Sequence, residues 1–316
     1  MFDLIGAEQF NSEEYARDVV YIVPGLITEG LVVLSAKPKA GKSFLALNLA
    51  VAIAEGGKAL GGIQVEQGTV LYMALEDGPQ RIRRRANTMM LGKPFPEKLW
   101  VTREPTKDPL RNIAEFIEVF PDTRLIVIDV AKKLFPNKSR GNKDEYDAVY
   151  DDLGPFQQFA IDNHIAIIAV MHNRKSGSDA DSPQDAVHGT VANTGVADEI
   201  ITLDRKGHSV DAELSITGRD IESVDRKITW DRDTLSWVMA PNDAIQASMT
   251  PERRQVYELL LENPNMHRTM LAERCNVSQG TMDKRLADMK RDGYIVSGVS
   301  KGCYVVARSS ELEFAA

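Results

Sequence analysis

The sequence predicts an α/β protein whose twisted, mostly parallel sheet is flanked by helices and followed by a small C-terminal module. Apolar runs of strand length recur through the first 240 residues, and most of them are continuous rather than alternating. Continuous runs are typical of strands that are buried on both faces of a parallel sheet. The first run leads through a turn containing Gly, Pro and Lys into a long apolar helical pattern, which predicts a strand, loop and helix unit.

Each predicted element follows from its own pattern. Five apolar runs predict the strands of the sheet, at residues 31–35, 69–75, 125–130, 165–171 and 199–203. The helix of the opening unit is predicted at 42–55. Alternating segments between turns predict an antiparallel edge, at residues 212–217, 227–230 and 236–239. A Pro-Asn-Asp cluster predicts a linker, so we expect a main domain, linker, second domain and tail at 1–240 (with a short N-terminal segment at 1–20), 241–249, 250–308 and 309–316.

Composition and charge narrow the class of protein. With 43% hydrophobic and 27% charged residues in 316, the chain can bury a proper core. The net charge of -8 argues mildly against a surface that coats nucleic acid throughout, but residues 250–308 carry ten Lys or Arg against seven Asp or Glu. Two cysteines without metal-ligand spacing suggest a reducing compartment. No apolar stretch is long enough for a membrane span, so we expect a cytoplasmic protein without membrane contact.

An octapeptide between the first strand and its helix matches the phosphate-loop pattern GxxxxGK[ST], except that Ala36 replaces the first glycine. Small residues let backbone N–H groups wrap a β-phosphate, a lysine neutralises the β- and γ-oxygens, and a hydroxyl holds Mg²⁺. Gly41, Lys42 and Ser43 supply these parts. We therefore predict a site for ATP and Mg²⁺ whose nucleotide contacts come from Ala36, Lys37, Pro38, Lys39, Ala40, Gly41, Lys42, Ser43 and Phe44.

Carboxylates end two further predicted strands. The run at 125–128 ends in Asp129, which suits a group that reaches Mg²⁺ together with the loop hydroxyl Ser43. Val130 follows, so a general base must come from elsewhere. The run at 69–75 ends in Glu76 and Asp77, and we predict that Glu76 orients the attacking water while Asp77 caps the next helix. In the alternative, both acids only cap that helix.

The order of these motifs (GKS, then strands that end in LED, VID and MHN) resembles the RecA-like superfamily, and within it the RepA-type plasmid replication helicases. Two segments strengthen the resemblance, the lead-in at 24–30 and the segment at 195–199. The resemblance covers about residues 20–240, and it implies a RecA-like fold and ATP hydrolysis.

The resemblance also implies two further site residues. His172 would be a sensor of the γ-phosphate, although a histidine can also simply end a strand. Arg219 would be an arginine finger that acts on the ATP of an adjacent subunit, with Thr217 where a second basic residue of the pattern would stand. A surface ion pair with Asp220 or Glu222 is the alternative. A finger in trans implies a closed ring, and the family implies a homo-hexamer.

Two loops and the C-terminal module are candidates for DNA contact. The loop after Asp129 has five basic residues in twelve and no acid, and Phe135 could stack on a base; these five are Lys132, Lys133, Lys138, Arg140 and Lys143. A second loop offers Arg174 and Lys175, although three acids in it are awkward for that role. A solvated surface is the alternative for the basic loop.

Residues 250–308 resemble a winged helix-turn-helix domain, because three helix patterns lead into a hairpin pattern. The third helix would start after a turn at 277–280 and present Lys284 and Arg285 to DNA, with Lys301 on the wing. Such domains also dock proteins, which stays the alternative here. The whole chain is then expected to be a ring-forming DNA motor, a replicative helicase of a plasmid, phage or mobile element, with single-stranded DNA in its channel. The alternative is a recombinase or regulatory ATPase that does not translocate.

Overall fold

A computed structural model describes residues 6–7, 19–104, 107–134, 145–172, 195–207, 209–221, 223–240, 243, 245–246 and 249–307. Its strands are, in chain order, β1 (Tyr21–Val23), β2 (Ile27–Thr28), β3 (Gly30–Ala36), β4 (Lys58–Ala59), β5 (Ile63–Gln64), β6 (Thr69–Ala74), β7 (Leu99–Thr102), β8 (Thr123–Asp129), β9 (Ala166–His172), β10 (Glu199–Arg205), β11 (Asp211–Gly218), β12 (Val224–Asp231), β13 (Ser236–Met239), β14 (Met266–His267), β15 (Ile295–Ser297) and β16 (Cys303–Val306). Its helices are α1 (Lys42–Glu55), α2 (Pro79–Met89), α3 (Pro109–Val119), α4 (Ala131–Leu134), α5 (Glu145–Asp162), α6 (Pro251–Glu262), α7 (Arg268–Arg274) and α8 (Gln279–Arg291).

Nine strands form one mixed sheet in the order β13-β12-β11-β10-β3-β9-β8-β6-β7. The strands from β10 to β7 are parallel, and β10 to β13 are joined by antiparallel pairs. The mostly parallel sheet and its antiparallel edge, both expected from the apolar patterns, are confirmed. Strand β7 was not expected, because its four residues are too short a run to stand out beside a helix pattern.

Both faces of the sheet are buried at its central parallel strands, which explains why their patterns are continuous, whereas β11 and β12 alternate between buried and exposed residues. On β3, Val32 and Leu34 pack into one hydrophobic cluster while Leu31 and Val33 pack into another on the opposite face. Helix α1 buries most of its length against the first cluster and ends at Gly56, whose positive φ closes the helix with N–H bonds back to its last turn. The opening strand and helix are therefore rigid supports for the loop between them.

The C-terminal module has its own hydrophobic cluster, built from α6, α7, α8 and the three-stranded sheet β14-β16-β15. Helix α8 begins at Gln279, and the Ser278 side chain caps it by accepting a hydrogen bond from the Thr281 N–H. The turn expected at 277–280 is therefore two residues shorter than predicted. No helix in the described ranges is long and apolar enough to cross a membrane.

A buried glutamate lies at the amino edge of the parallel strands. Glu199 is 1% exposed, and its Oε2 accepts hydrogen bonds from the N–H and the hydroxyl of Thr28. Its Oε1 has no hydrogen-bond partner among the described residues. Burial raises the pKa of this carboxyl from 4.5 to about 8. The folded protein therefore binds a proton here that the unfolded chain releases near pH 4.5.

This proton makes stability depend on pH, and Glu199→Gln should remove that dependence. Because the pKa is raised on folding, the wild-type contribution is full below pH 4.5 and falls by about 1.4 kcal/mol per pH unit up to about pH 8. The free energy of unfolding of the variant, relative to that of the wild type, should therefore increase from pH 5 to pH 8. Urea unfolding at both pH values measures it, with Glu213→Gln on the exposed side of β11 as control. An equal difference at both pH values would contradict the expectation.

Candidate ATP and magnesium site

The phosphate-loop segment leaves the sheet at the carboxyl end of β3. Ala36 is the last residue of that strand and pairs with His172 on one side and Leu203 on the other. Positive φ angles occur only later in the segment, at Lys39 (65°) and Gly41 (111°). The first position of the motif therefore has the extended backbone of a strand, and alanine meets its requirements as well as glycine does.

A tryptophan from the far edge of the sheet supports this loop. Trp237, on β13, is fully buried, and its Nε1 donates a hydrogen bond of 3.3 Å to the carbonyl of Gly41. A Cβ added at Gly41 would lie 3.0 Å from the indole ring. The loop is thus held against the antiparallel edge of the sheet, a contact that no sequence motif signals.

Lys42, the first residue of α1, lies inside the loop. Its side chain is buried, and its Nζ donates hydrogen bonds to the carbonyls of Ala36 (2.8 Å) and Lys37 (3.1 Å). Burial lowers the pKa of Lys42 to about 8, and the nearby charges of Asp129 and Glu76 oppose that shift. The structure therefore brings together the lysine and both carboxylates that the sequence singled out.

Asp129 is held at both of its oxygens. Oδ1 accepts from the Ser43 hydroxyl at 3.2 Å, and Oδ2 accepts from the Tyr72 hydroxyl at 2.7 Å. Burial raises the pKa of Asp129, against the lowering effect of these two hydrogen bonds, and it raises the pKa of Tyr72 well above its ordinary value. A carboxylate and a hydroxyl this close together are the hard oxygen donors that Mg²⁺ prefers, so Ser43 and Asp129 fit such an ion. Sequence reasoning missed Tyr72.

Glu76 follows the end of β6, next to β8. The pairing of β6 with β8 sets Ala74 beside Asp129, and the Leu75 N–H donates to the Asp129 carbonyl at 2.8 Å. The Glu76 side chain is exposed, and its negative charge acts to raise the pKa of both Lys42 and Asp129. Glu76 therefore lies at the open side of the site, where a water could meet it.

Asp77 does not cap the following helix as expected. Its carboxylate accepts from Arg81 and Arg85 of α2, and Gly78 occupies the cap position without a side-chain hydrogen bond. Arg85 also lies over the ring of Phe44 on α1, 4.3 Å from its centroid. Arg85 thus links the Asp77 carboxylate, in the segment that carries Glu76, to α1, the helix that follows the phosphate loop.

Phe44 belongs to an aromatic group beside the loop. It contacts Trp230 edge to face at 4.9 Å, and Trp230 contacts Trp237 at 5.3 Å. A cavity of about 690 Å³ lies between α2 and the turn that joins β12 to β13, lined by Gln80, Arg83, Arg84, Asn87, Thr88, Leu91, Gly92 and Asp233.

The two site residues that the resemblance supplied lie at opposite ends of the parallel strands. His172 is the last residue of β9 and pairs with Ala36, but its side chain lies outside the described part of the chain. Arg219 follows β11 at the amino edge of the parallel strands, where it donates to Asp198 at 3.2 Å and to the Gly195 carbonyl. Its ion pair is therefore with Asp198 rather than with Asp220, while Glu222 lies outside the described residues. Arg219 is remote from the loop of its own chain.

The structure describes only some of the candidate DNA contacts. Lys132 and Lys133 are exposed on α4, directly after the Asp129 segment. Lys138, Arg140, Lys143, Arg174 and Lys175, with Phe135, lie outside the described residues. In the C-terminal module, Lys284 and Lys301 are exposed, whereas Arg285 is half-buried and donates to the carbonyl of Glu252.

The AAA domain family matches residues 10–178, which is more than half of the chain. The chain belongs to this AAA domain family. Residues 253–296 of this AAA domain protein match the winged helix-turn-helix DNA-binding family, so the predicted C-terminal fold is confirmed. No curated protein matches the sequence.

Two solved structures resemble this AAA domain protein in fold. A DnaB-like replicative helicase, studied with its interactions with primase, superposes with a TM-score of 0.53 and 14% identity over 72% of this chain and 63% of that chain. The RadB recombinase gives a TM-score of 0.47 and 14% identity over 69% and 92%. The chain thus spans less than two thirds of the helicase. At this identity the likeness to the helicase concerns the fold alone, and it agrees with the fold class that the sequence predicts.

Proposed function

We propose that this chain is an ATP-driven, ring-forming DNA motor, a replicative helicase of a plasmid, phage or mobile element. One observation carries the ATPase part of the proposal: Lys42, Ser43, Asp129 and Glu76 meet at one edge of the sheet, although they come from three separate segments. A lysine, a hydroxyl and two carboxylates are the groups that phosphoryl transfer to water requires.

Each of these residues has a task in hydrolysis. Bound Mg²⁺, held by Ser43 and Asp129, would neutralise charge on the β- and γ-phosphates. The Lys42 ammonium exchanges its two carbonyl partners for phosphate oxygens. Glu76 orients a water and accepts its proton as the water oxygen bonds to the γ-phosphorus. The bond to the bridging oxygen then breaks and leaves ADP and phosphate.

The position of Arg219 supports a ring. It follows β11 at the amino ends of the parallel strands, level with Leu31, which is about five residues or roughly 17 Å of strand away from Ala36. Its side chain is 53% exposed. An arginine so placed cannot reach the ATP of its own chain, but it is accessible to the ATP site of a neighbour if protomers pack head to tail.

A mixing experiment tests this trans role. Arg219→Ala and Lys42→Ala chains should each be inactive alone, because one lacks the finger and the other the phosphate lysine. Mixed and reassembled at equal amounts, they should regain activity, because about a quarter of random interfaces then join an intact loop to an intact Arg219. Phosphate release before and after mixing is the measurement. An Arg219→Ala protein that is active alone would overturn the assignment.

DNA contact is supported by the described basic residues beside the site and in the C-terminal module. Lys132 and Lys133 follow the metal-binding strand directly, so a strand of DNA held there would lie near the nucleotide. Lys284 on α8 and Lys301 on the wing are the exposed cations of the winged helix that we assign to duplex DNA.

The decisive experiment measures ATP turnover with and without single-stranded DNA, together with the mass of the protein in solution. A six-subunit species whose turnover rises with DNA supports the motor. A monomer whose turnover ignores DNA rejects the motor and leaves an ATPase that does not translocate. The ion pair between Arg219 and Asp198 favours that second function, because an arginine bound within its own chain must be released before it can act on a neighbour.

A further inference from the structure

The carboxylate of Asp129, which we assign as a metal ligand, has a phenol hydroxyl as a hydrogen-bond partner. The Tyr72 hydroxyl donates to Asp129 Oδ2 at 2.7 Å and lies 3.4 Å from the carbonyl of Ser43. Asp129 Oδ1 is the oxygen that accepts from the Ser43 hydroxyl, at 3.2 Å. The two oxygens of this carboxylate therefore have different partners, one from the neighbouring strand β6 and one from the helix that follows the phosphate loop.

The register of the sheet explains why a tyrosine reaches this position. Tyr72 on β6 pairs with Val127 on β8, and Ala74 pairs with Asp129, so Tyr72 lies two residues behind the carboxylate on the same face. Two residues of strand span about 7 Å, which is the reach of a phenol side chain that extends along the strand. A phenylalanine would fill the same space without a donor, and an aliphatic side chain would be too short.

The surroundings of Tyr72 hold its ring in place. The side chain is fully buried, every residue of β6 is buried, and the ring packs in the hydrophobic cluster under α1. A hydrogen bond in such an apolar setting is stronger than in water, and a donor with a fixed ring fixes the direction of its acceptor. Rotation of the Asp129 carboxylate would break this bond and leave a buried oxygen unpaired.

We propose that Tyr72 is a positioning residue for the metal: its hydroxyl holds Asp129 Oδ2 and so keeps Oδ1 directed at Ser43 and the ion. This inference rests on the proposed ATPase function, because it assigns Mg²⁺ to Ser43 and Asp129. Partners that orient a metal ligand in this way commonly contribute 10- to 100-fold to metal affinity, roughly.

The test is Tyr72→Phe, with metal binding measured apart from turnover. Mn²⁺ replaces Mg²⁺ as a paramagnetic probe, and its affinity for the protein with bound ADP is read by electron paramagnetic resonance. We expect about tenfold weaker Mn²⁺ binding and a similar rise in the Mg²⁺ concentration that gives half-maximal ATP turnover. The rate at saturating Mg²⁺ and the affinity for ADP without metal should stay within about twofold, since neither depends on how firmly Asp129 is held.

Two further variants separate positioning from folding. Tyr257→Phe is the matched control, because Tyr257 is equally buried but lies in the C-terminal module. Should Tyr72→Phe fail to fold, 4-aminophenylalanine at position 72 keeps a donor in an aromatic ring and should retain wild-type Mn²⁺ affinity.

Each other outcome also has a definite meaning. A wild-type protein that neither binds Mn²⁺ with ADP nor hydrolyses ATP rejects the proposed function itself. An active wild type and a Tyr72→Phe protein with unchanged metal affinity reject only the role of Tyr72. Equal losses in metal-free ADP affinity, turnover and thermal stability would show that the hydroxyl acts on the fold rather than on the ion, and would equally overturn the inference.

Discussion

Lys42→Ala is expected to reduce ATP turnover by at least about a hundredfold, because it removes the ammonium that would neutralise the β- and γ-phosphate oxygens. Lys42 is buried at the start of α1 within hydrogen-bond distance of two loop carbonyls. The Lys42 ammonium is therefore in a position to contact a phosphate that binds in the loop. Steady-state release of phosphate measures the effect.

Lys58→Ala is the control for this substitution, since Lys58 is an exposed lysine on β4, away from the site. It should turn over ATP at the wild-type rate. Nucleotide binding by Lys42→Ala should also weaken, because the lost charge contacts the ground state as well as the transition state. Turnover by Lys42→Ala within tenfold of wild type would show that the phosphates bind elsewhere.

Glu76→Gln is expected to slow hydrolysis by about 10²- to 10⁴-fold while ATP still binds. The amide keeps the size of the side chain but cannot take a proton from water. Because Lys42, Ser43 and Asp129 are unchanged, the variant should accumulate bound ATP. Single-turnover hydrolysis and equilibrium ATP binding, measured on the same protein, separate the two effects.

The exposed glutamate at the end of α1 provides the comparison, as Glu55→Gln changes the same chemical group away from the site. That variant should hydrolyse ATP normally. If Glu76→Gln lost ATP binding and hydrolysis to the same extent, Glu76 would be a residue of the binding site rather than the base.

The parts of the site that depend on chain order could be predicted from the sequence. A strand that ends in a carboxylate brings that group to the carboxyl edge of a parallel sheet, so the meeting of Glu76 and Asp129 near Lys42 follows from the pattern alone. The helix after the phosphate loop was likewise predictable with its bounds, because it is apolar over its length and followed by glycines.

The parts that depend on pairing between distant segments could not be predicted. Tyr72 reads as one more apolar residue of a buried strand, and only the register of β6 against β8 brings its hydroxyl to Asp129. Trp237 reaches Gly41 across 196 positions of sequence. The position of Asp77 is typical of a helix cap, but its two oxygens form ion pairs with Arg81 and Arg85 of α2 instead.

The support that Trp237 gives to Gly41 also determines which positions of the phosphate loop tolerate change. Gly41 is constrained twice, by its left-handed backbone and by the indole that occupies the space of any Cβ. Ala36 has neither constraint. Genetic drift can therefore exchange one small residue for another at the motif's first position. At Gly41, even a missense change to alanine would strain the backbone and also place its Cβ against the indole of Trp237.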